Sequence, residues 1–393
     1  MATLEGLSGG RVFSRRACID RRQNRLATAL LAKREAGRPV LDLTLCNPID
    51  AGFRFPADEL LAALSVPAAL QYHPDPLGLL PARQAVSRHL AERGLAVDPG
   101  RILLTASTSE AYGFLFKLLC DPGDEILVPR PSYPLLQHLA RLESVRVVHY
   151  DLYYDGSWYP SAEAIARLRG QRTRALLLVN PNNPTGSYLK PEELERLADL
   201  GLPIISDEVF SSYLLDEELP VVPSALHCRR VPVFALFGLS KQAALPQMKL
   251  SWICGAGPEA LLREAWERLE LIADSYLSLA TPVQVALPEI LRLQEGIGEA
   301  IRQRSRRNLD RARAAESSLR PLHVEGGWYV TFRLPPVRDD EQWALHLLDE
   351  EGVLVHPGYL YDFAIGPVVV ASLLTPEDLF DEGLRRMARQ AAG

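Results

Sequence analysis

Lys241 lies just past the end of the apolar run Val231 to Phe237, and a second apolar run, Leu250 to Cys254, comes soon after it. Two buried strands around a lysine take its amine out of water. Desolvation disfavours the ammonium and lowers its pKa, and the neutral amine is nucleophilic enough to hold a carbonyl compound as a Schiff base. Of the 43 basic residues only five are lysines: Lys33, Lys117, Lys190, Lys241 and Lys249. Arginine fills the other basic positions and cannot do this chemistry, because it is always protonated and its nitrogens are delocalised. Asp207 ends another apolar run, Pro203 to Ser206, and so offers a carboxylate at a strand end. Ala106-Ser107-Thr108-Ser109-Glu110 lies between the apolar run Ile102 to Thr105 and a helical pattern from Ala111 to Leu119. Strand, small hydroxyl residues, helix is an anion-binding arrangement, since free N–H groups and the positive helix end face the loop. The same residues also read as a plain N-cap with a favourable first-turn Glu110. Asn180-Pro181-Asn182-Asn183-Pro184-Thr185-Gly186 contains two X-Pro units, which keep the loop non-helical and aim the Asn183 amide at one point.

These residues need a scaffold that brings strand ends together. From about residue 100 to 255 apolar strands alternate with helical patterns, which predicts a mostly parallel, helix-covered sheet with ligands at its carboxyl ends. Before it come a helix, Ala17 to Ala36, and an extended run, Val40 to Cys46. Beyond Pro258 the pattern is helical over Leu261–Ile272, over Val283–Gln294 with a kink at Pro288, and over Gly298–Leu319. Gly326–Leu334, Val353–Val355 and Pro367–Leu374 read as strands of a smaller α+β unit, closed by an amphipathic helix from Pro376 to Arg389.

The totals limit the alternatives. A chain of 393 residues suggests two or three structural units. A net charge of −6 gives no reason to expect nucleic acid or an anionic membrane as partner, and no apolar run reaches transmembrane length. The five cysteines are scattered without a C-x-x-C pair and read as reduced residues of a cytoplasmic protein. The arginine-rich stretch Arg11 to Arg25 reads as the basic face of an N-terminal helix.

The segment Phe237 to Trp252 and the Asn-Asn-Pro-Thr-Gly loop resemble the class I/II aminotransferases, fold type I enzymes that use pyridoxal 5′-phosphate. The resemblance covers nearly the whole chain. It implies a large domain with a mostly parallel seven-stranded sheet, spanning residues 51–290. It implies a small α+β domain over 291–393, on which residues 1–50 pack, and a homodimer with sites at the interface. Lys241 matches the lysine that holds the cofactor and then moves the substrate proton. Asp207 matches the partner of the cofactor ring nitrogen, Asn183 the donor to its ring oxygen, and Tyr133 the ring that stacks on it. Ser107, Thr108, Ser109 and Lys249 match the phosphate cup, and Tyr72 the tyrosine that reaches the neighbouring subunit's phosphate. The chain departs from the family at several points: Phe210 stands where a tyrosine is common, Gly238 and Ser107 replace serine and glycine, and Lys249 replaces arginine. With Phe210 unable to donate, Asn183 would act alone or with Tyr213 or a water. If Ser372 is the family's serine, Val370 occupies the place of the arginine that pairs the substrate α-carboxylate, with Arg333 and Arg304 as replacements. The implied function is an aminotransferase acting on a small-molecule substrate, an amino acid or related amine. A lyase, decarboxylase or replacement enzyme on the same fold, or a cofactor-binding regulator, remains open at this point.

Overall fold

The computed structural model describes residues 13–17, 24–216, 223–315 and 318–392. In chain order the strands are β1 (Leu41–Asp42), β2 (Ile102–Thr105), β3 (Glu125–Arg130), β4 (Arg146–Tyr154), β5 (Trp158–Pro160), β6 (Thr173–Val179) and β7 (Ile204–Asp207). They continue with β8 (Val233–Gly238), β9 (Ser251–Ala256), β10 (Tyr329–Arg333), β11 (Val353–Leu354), β12 (His356–Pro357) and β13 (Val368–Ser372). The large sheet has the order β2-β9-β8-β7-β6-β3-β4-β5. Pairs β8·β7, β7·β6, β6·β3 and β3·β4 are parallel, while β9 and β5 run antiparallel to their neighbours. The sheet therefore has eight strands rather than the expected seven, because the chain turns back after β4 to add β5 as a hairpin edge.

These strands are apolar on both faces, as parallel strands covered by helices must be. Alternate residues feed two cores. Leu104, Leu127, Leu176, Leu178, Ala235 and Phe237 belong to one. Leu103, Ile126, Leu177, Ile205, Phe234 and Leu236 belong to the other, under the helices Thr108–Leu119 and Glu259–Asp274. The two-residue period of the strand produces this division.

A third core holds the ends of the chain together: Leu26 and Leu43 pack with Phe332, Trp343, Val353 and Phe380. β1 pairs in parallel with β11, so the N-terminal extended run and the late strand Val353–Leu354 form a ribbon of their own. β13 pairs with β10 on one side and β12 on the other. The helix expected from Ala17 begins at Arg25, with Asn24 as its N-cap; residues 18–23 lie outside the described ones. The two helices expected around Pro288 and Gly298 are one 34-residue helix, Thr281–Ala314, with Pro288 inside it. Its first half packs in the large unit through Leu287 and Ile290, and its last turns reach the third core through Leu309 and Ala312. A boundary at residue 290 thus falls within a helix shared by both units. Among the described residues no helix is long and apolar enough to cross a membrane.

Candidate active site

The carboxyl ends of β6, β7 and β8 open into a cavity of about 280 Å³, and Asn183, Asp207 and Lys241 all line it. Parallel strands in one sheet place their last residues along one edge, so residues distant in sequence meet there.

β8 ends at Gly238, and the short helix Leu239–Gln242 carries Lys241 back over the strand ends. The Tyr213 hydroxyl donates a 2.6 Å hydrogen bond to the Lys241 carbonyl and fixes this turn. The Lys241 ammonium faces two aromatic rings, Trp328 at 4.9 Å and Phe210 at 5.5 Å. Burial lowers its pKa, opposed by the nearby Cys46 and Asp207. The amine is thus biased toward its reactive neutral form.

Asp207 is held from the neighbouring helix. Tyr112 Oη donates to Asp207 Oδ2 at 2.8 Å, and the Val209 N–H donates to Oδ1 at 3.2 Å. Burial raises the Asp207 pKa, while those two donors and Lys241 pull it down. A cation bound beside it would pull it down further.

The loop after β6 explains why Asn183, and not its neighbours, is available. Asn180 donates to the Pro223 carbonyl and accepts from the Leu189 N–H. Asn182 donates to the Pro131 carbonyl and accepts from Thr185. Gly186 closes the loop at φ +74°, where a side chain would overlap the Gly326 carbonyl. Asn183 Oδ1 is left buried without a hydrogen-bond partner, on the cavity wall. A buried amide oxygen in that state calls for a ligand.

At the start of the helix Thr108–Leu119 the two readings divide between adjacent residues. Ser107 is the N-cap: its Oγ accepts from the Glu110 N–H at 3.1 Å. Thr108 and Ser109 line the cavity, as does Ser240. Hydroxyls at a helix N-terminus suit a phosphate. Tyr133 is half exposed and also lines the cavity.

Ser107, Lys249 and Tyr72 do not line this cavity, Tyr72 being the residue expected at the neighbouring subunit's site. Lys249 is exposed, in a left-handed conformation at φ +48° after the turn Pro246–Met248. Ser240 of the same segment lines the cavity with Thr108 and Ser109. Tyr72 is 75% exposed and lines a separate, shallow cavity with Leu277, Ser278 and Thr281. Tyr213 is unavailable to a ring oxygen, because its hydroxyl is bound to the Lys241 carbonyl. Gly238 is enforced locally, since a Cβ there would overlap Ser251 Oγ.

Val370 is fully buried in β13 and packs in an apolar cluster with Phe210, Trp328, Tyr329 and Tyr361. Neither replacement arginine reaches the cavity. Arg333 is exposed at the end of β10. The Arg304 guanidinium donates to the Ala51 and Leu374 carbonyls and lies 4.0 Å over the Phe53 ring. Among the described residues lining the cavity, Lys241 and Asp207 are the charged ones.

Sequence reasoning missed Tyr112, Ser240, His356 and Tyr361. Tyr112 had a signal: it lies four residues after Thr108 on the same helix and so on the same face. Ser240 had adjacency to Lys241. His356 and Tyr361 come from the distant small unit and had none.

The residues present fit pyridoxal phosphate: an amine for its aldehyde, a carboxylate for its ring nitrogen, an unpartnered amide, and hydroxyls at a helix N-terminus for its phosphate. Residues 63–368 match the family model of class I and II aminotransferases. The chain is 32% identical over 381 residues to the arginine–pyruvate transaminase AruH of Pseudomonas aeruginosa, covering 92% of each chain. It is 30% identical over 351 residues to the glutamate–pyruvate aminotransferase AlaA of Escherichia coli K12, covering 84% of each. Among solved structures, alanine aminotransferase from Pyrococcus furiosus superposes with a TM-score of 0.82 at 25% identity, over 94% of this chain and all of that one. A family match of this extent, with relatives aligned over most of their length, means that the chain belongs to the class I and II aminotransferases and is an aminotransferase.

Proposed function

We propose that the protein is a pyridoxal-phosphate-dependent aminotransferase in which Lys241 holds the cofactor through Nζ. The observation that carries this reading is the meeting of Lys241, Asp207 and Asn183 in one cavity at the strand ends. When bound, the cofactor supplies an electron sink that acidifies the Cα proton of an attached amine. The chain's own residues do the rest. Asp207, braced by Tyr112, would keep a proton on the ring nitrogen. The Asn183 amide nitrogen would donate to the ring oxygen without help from Phe210. Thr108, Ser109 and Ser240 bind the phosphate, and Tyr133 stacks on the ring. Lys241 Nζ, once displaced by the substrate amine, carries the proton from the substrate carbon.

The active form would be a homodimer. Exposed Tyr72 lines a surface cavity with Leu277, Ser278 and Thr281, and Tyr72 is the residue that the family resemblance assigns to the partner's site. The large unit would run from residue 51 to about 290, and the small unit would combine 291–393 with the N-terminal segment. The four described cysteines are unpaired, which supports a reducing, cytoplasmic location.

The test is the absorbance spectrum of the purified protein before and after addition of primary amines, beside Lys241→Ala. The expected result is a long-wave cofactor band that bleaches to the amine form of the cofactor in wild type only. A band that is identical in Lys241→Ala, or absent from wild type after cofactor addition, would sink the reading.

A further inference from the structure

The cavity is built against the group that aminotransferase substrates usually present, a free carboxylate on the amine-bearing carbon. A carboxylate leaving water needs a cation or several strong donors to offset its desolvation. At the matching place the chain has Val370, buried in a cluster with the lining residues Phe210, Tyr329 and Tyr361 and not itself on the cavity surface. Apart from Lys241, no described lining residue brings a cation to pair a carboxylate, and Asp207, a charge of the wrong sign, lines the same cavity.

The same lining is not devoid of polarity. β12 places His356 directly opposite Val370 in the sheet. His356 Nδ1 lies 2.8 Å from Tyr361 Oη, and both residues line the cavity. A neutral imidazole has one N–H and one acceptor nitrogen, and a tyrosine has one O–H. Their mutual hydrogen bond uses one of these two protons. If Tyr361 donates to Nδ1, the imidazole N–H at Nε2 is left over; if Nδ1–H donates to Tyr361, the tyrosine O–H is left over. Either way the pair presents one neutral donor. A neutral donor suits a neutral acceptor and is a poor match for a full negative charge. Leu135, Leu136 and Leu139 of the helix Leu135–Leu142 add an apolar part to the lining.

We propose, on the basis of the aminotransferase reading above, that the substrate is a primary amine whose amine-bearing carbon carries a neutral hydrogen-bond acceptor in place of a free carboxylate, together with a bulky apolar substituent. The acceptor is a carbonyl or hydroxyl oxygen of the amide, ester, ketone or alcohol class. The His356–Tyr361 pair reads that acceptor, the lack of a cation at position 370 leaves a carboxylate unpaired, and Leu135, Leu136 and Leu139 take the apolar part.

Two matched comparisons on the cofactor-loaded protein test this. The first follows bleaching of the cofactor band by L-phenylalaninamide and by L-phenylalanine. The second measures calorimetric binding of the unreactive pair 3-phenylpropanamide and 3-phenylpropanoate. The amide is expected to win both by about tenfold or more, the discrimination typical of a site that leaves a wrong group unpaired. Val370→Arg is expected to reverse both preferences. Because an arginine in a packed cluster can impair folding, the double variant His356→Phe with Tyr361→Phe provides a second arm. It removes both donors of the pair, and should slow the amide about tenfold more than 2-phenylethylamine, which carries no acceptor. A purely structural role for the pair would slow both alike. Wild type that prefers the carboxylate in either comparison overturns the inference and leaves the aminotransferase reading intact. So does a cofactor band that responds to L-phenylalanine alone, or to neither compound. Failure to form any Lys241-dependent band would instead remove the aminotransferase reading, and this inference with it.

Discussion

Tyr112 Oη donates a 2.8 Å hydrogen bond to Asp207 Oδ2, tying the helix that presents Thr108 and Ser109 to the strand end that presents the carboxylate. The groups proposed to bind the phosphate and the ring nitrogen are therefore one braced unit. Tyr112 is buried, and its own pKa is raised well above the ordinary tyrosine range by that burial and by the Asp207 charge. It stays a donor at any working pH. Tyr112→Phe should leave the fold intact and weaken cofactor binding by about tenfold or more, the usual worth of a hydrogen bond to a charged group. Equilibrium titration of the apoprotein with pyridoxal phosphate, read by absorbance, checks this; unchanged affinity would mean that Asp207 needs no brace.

The capture of the cofactor should depend on pH through Lys241. Its reactive form is the neutral amine, and burial lowers the pKa from the ordinary 10.5. The capture rate should then rise with pH through a midpoint below that value. Asp207 raises the Lys241 pKa through its charge, so Asp207→Asn should move the midpoint to lower pH even though it binds the cofactor less well. Stopped-flow absorbance across pH gives both midpoints, and an upward shift in the variant would contradict the argument.

Gly238 is a departure from the family that this packing requires. A Cβ at that position would overlap Ser251 Oγ across the β8·β9 pair, where Gly238 and Ser251 are in register. Gly238→Ser should destabilise the protein by about 1–3 kcal/mol, as overpacking of a closed core does. Ser251→Gly in the same chain should recover part of that loss. Denaturant midpoints for the two single variants and the double variant decide whether the two positions are coupled.

Glu208 links stability to pH. It is fully buried, accepting from the Ser206 and Ser224 hydroxyls and the Ala225 N–H, and burial lifts its pKa from the ordinary 4.5 up to about 7. A carboxyl with a raised native pKa holds its proton more tightly in the folded state than in the unfolded one. Its contribution is fully present below about pH 4.5 and is lost as pH rises through about 7. Glu208→Gln should flatten that component of the stability curve. Chemical denaturation at pH 5 and pH 8 measures it, and equal pH slopes in both proteins would count against the shift.

The chain's order of apolar runs was enough to place Asn183, Asp207 and Lys241 at strand ends. A run of alternating or continuous apolar residues ending in a polar one is a local pattern, and the parallel sheet gathers such ends along one edge. The Ser107–Ser109 stretch was legible for the same reason, although whether a hydroxyl caps the helix or faces the cavity depends on each residue's place in the first turn. The long helix was misread as two with a break between Gln294 and Gly298, because the glycines there weaken the local helical pattern while packing on both units carries the helix through.

What the sequence by itself determined was the fold and the placing of Lys241, Asp207 and Asn183 at strand ends, which rest on short-range patterns of burial and chain reversal. Only the tertiary structure decided that Tyr112 braces Asp207, that Ser240 lines the cavity while Lys249 does not, and that His356 and Tyr361 join the cavity lining. Those relationships depend on how segments far apart in the chain are brought together, and close packing sets their register through contacts that no local pattern encodes.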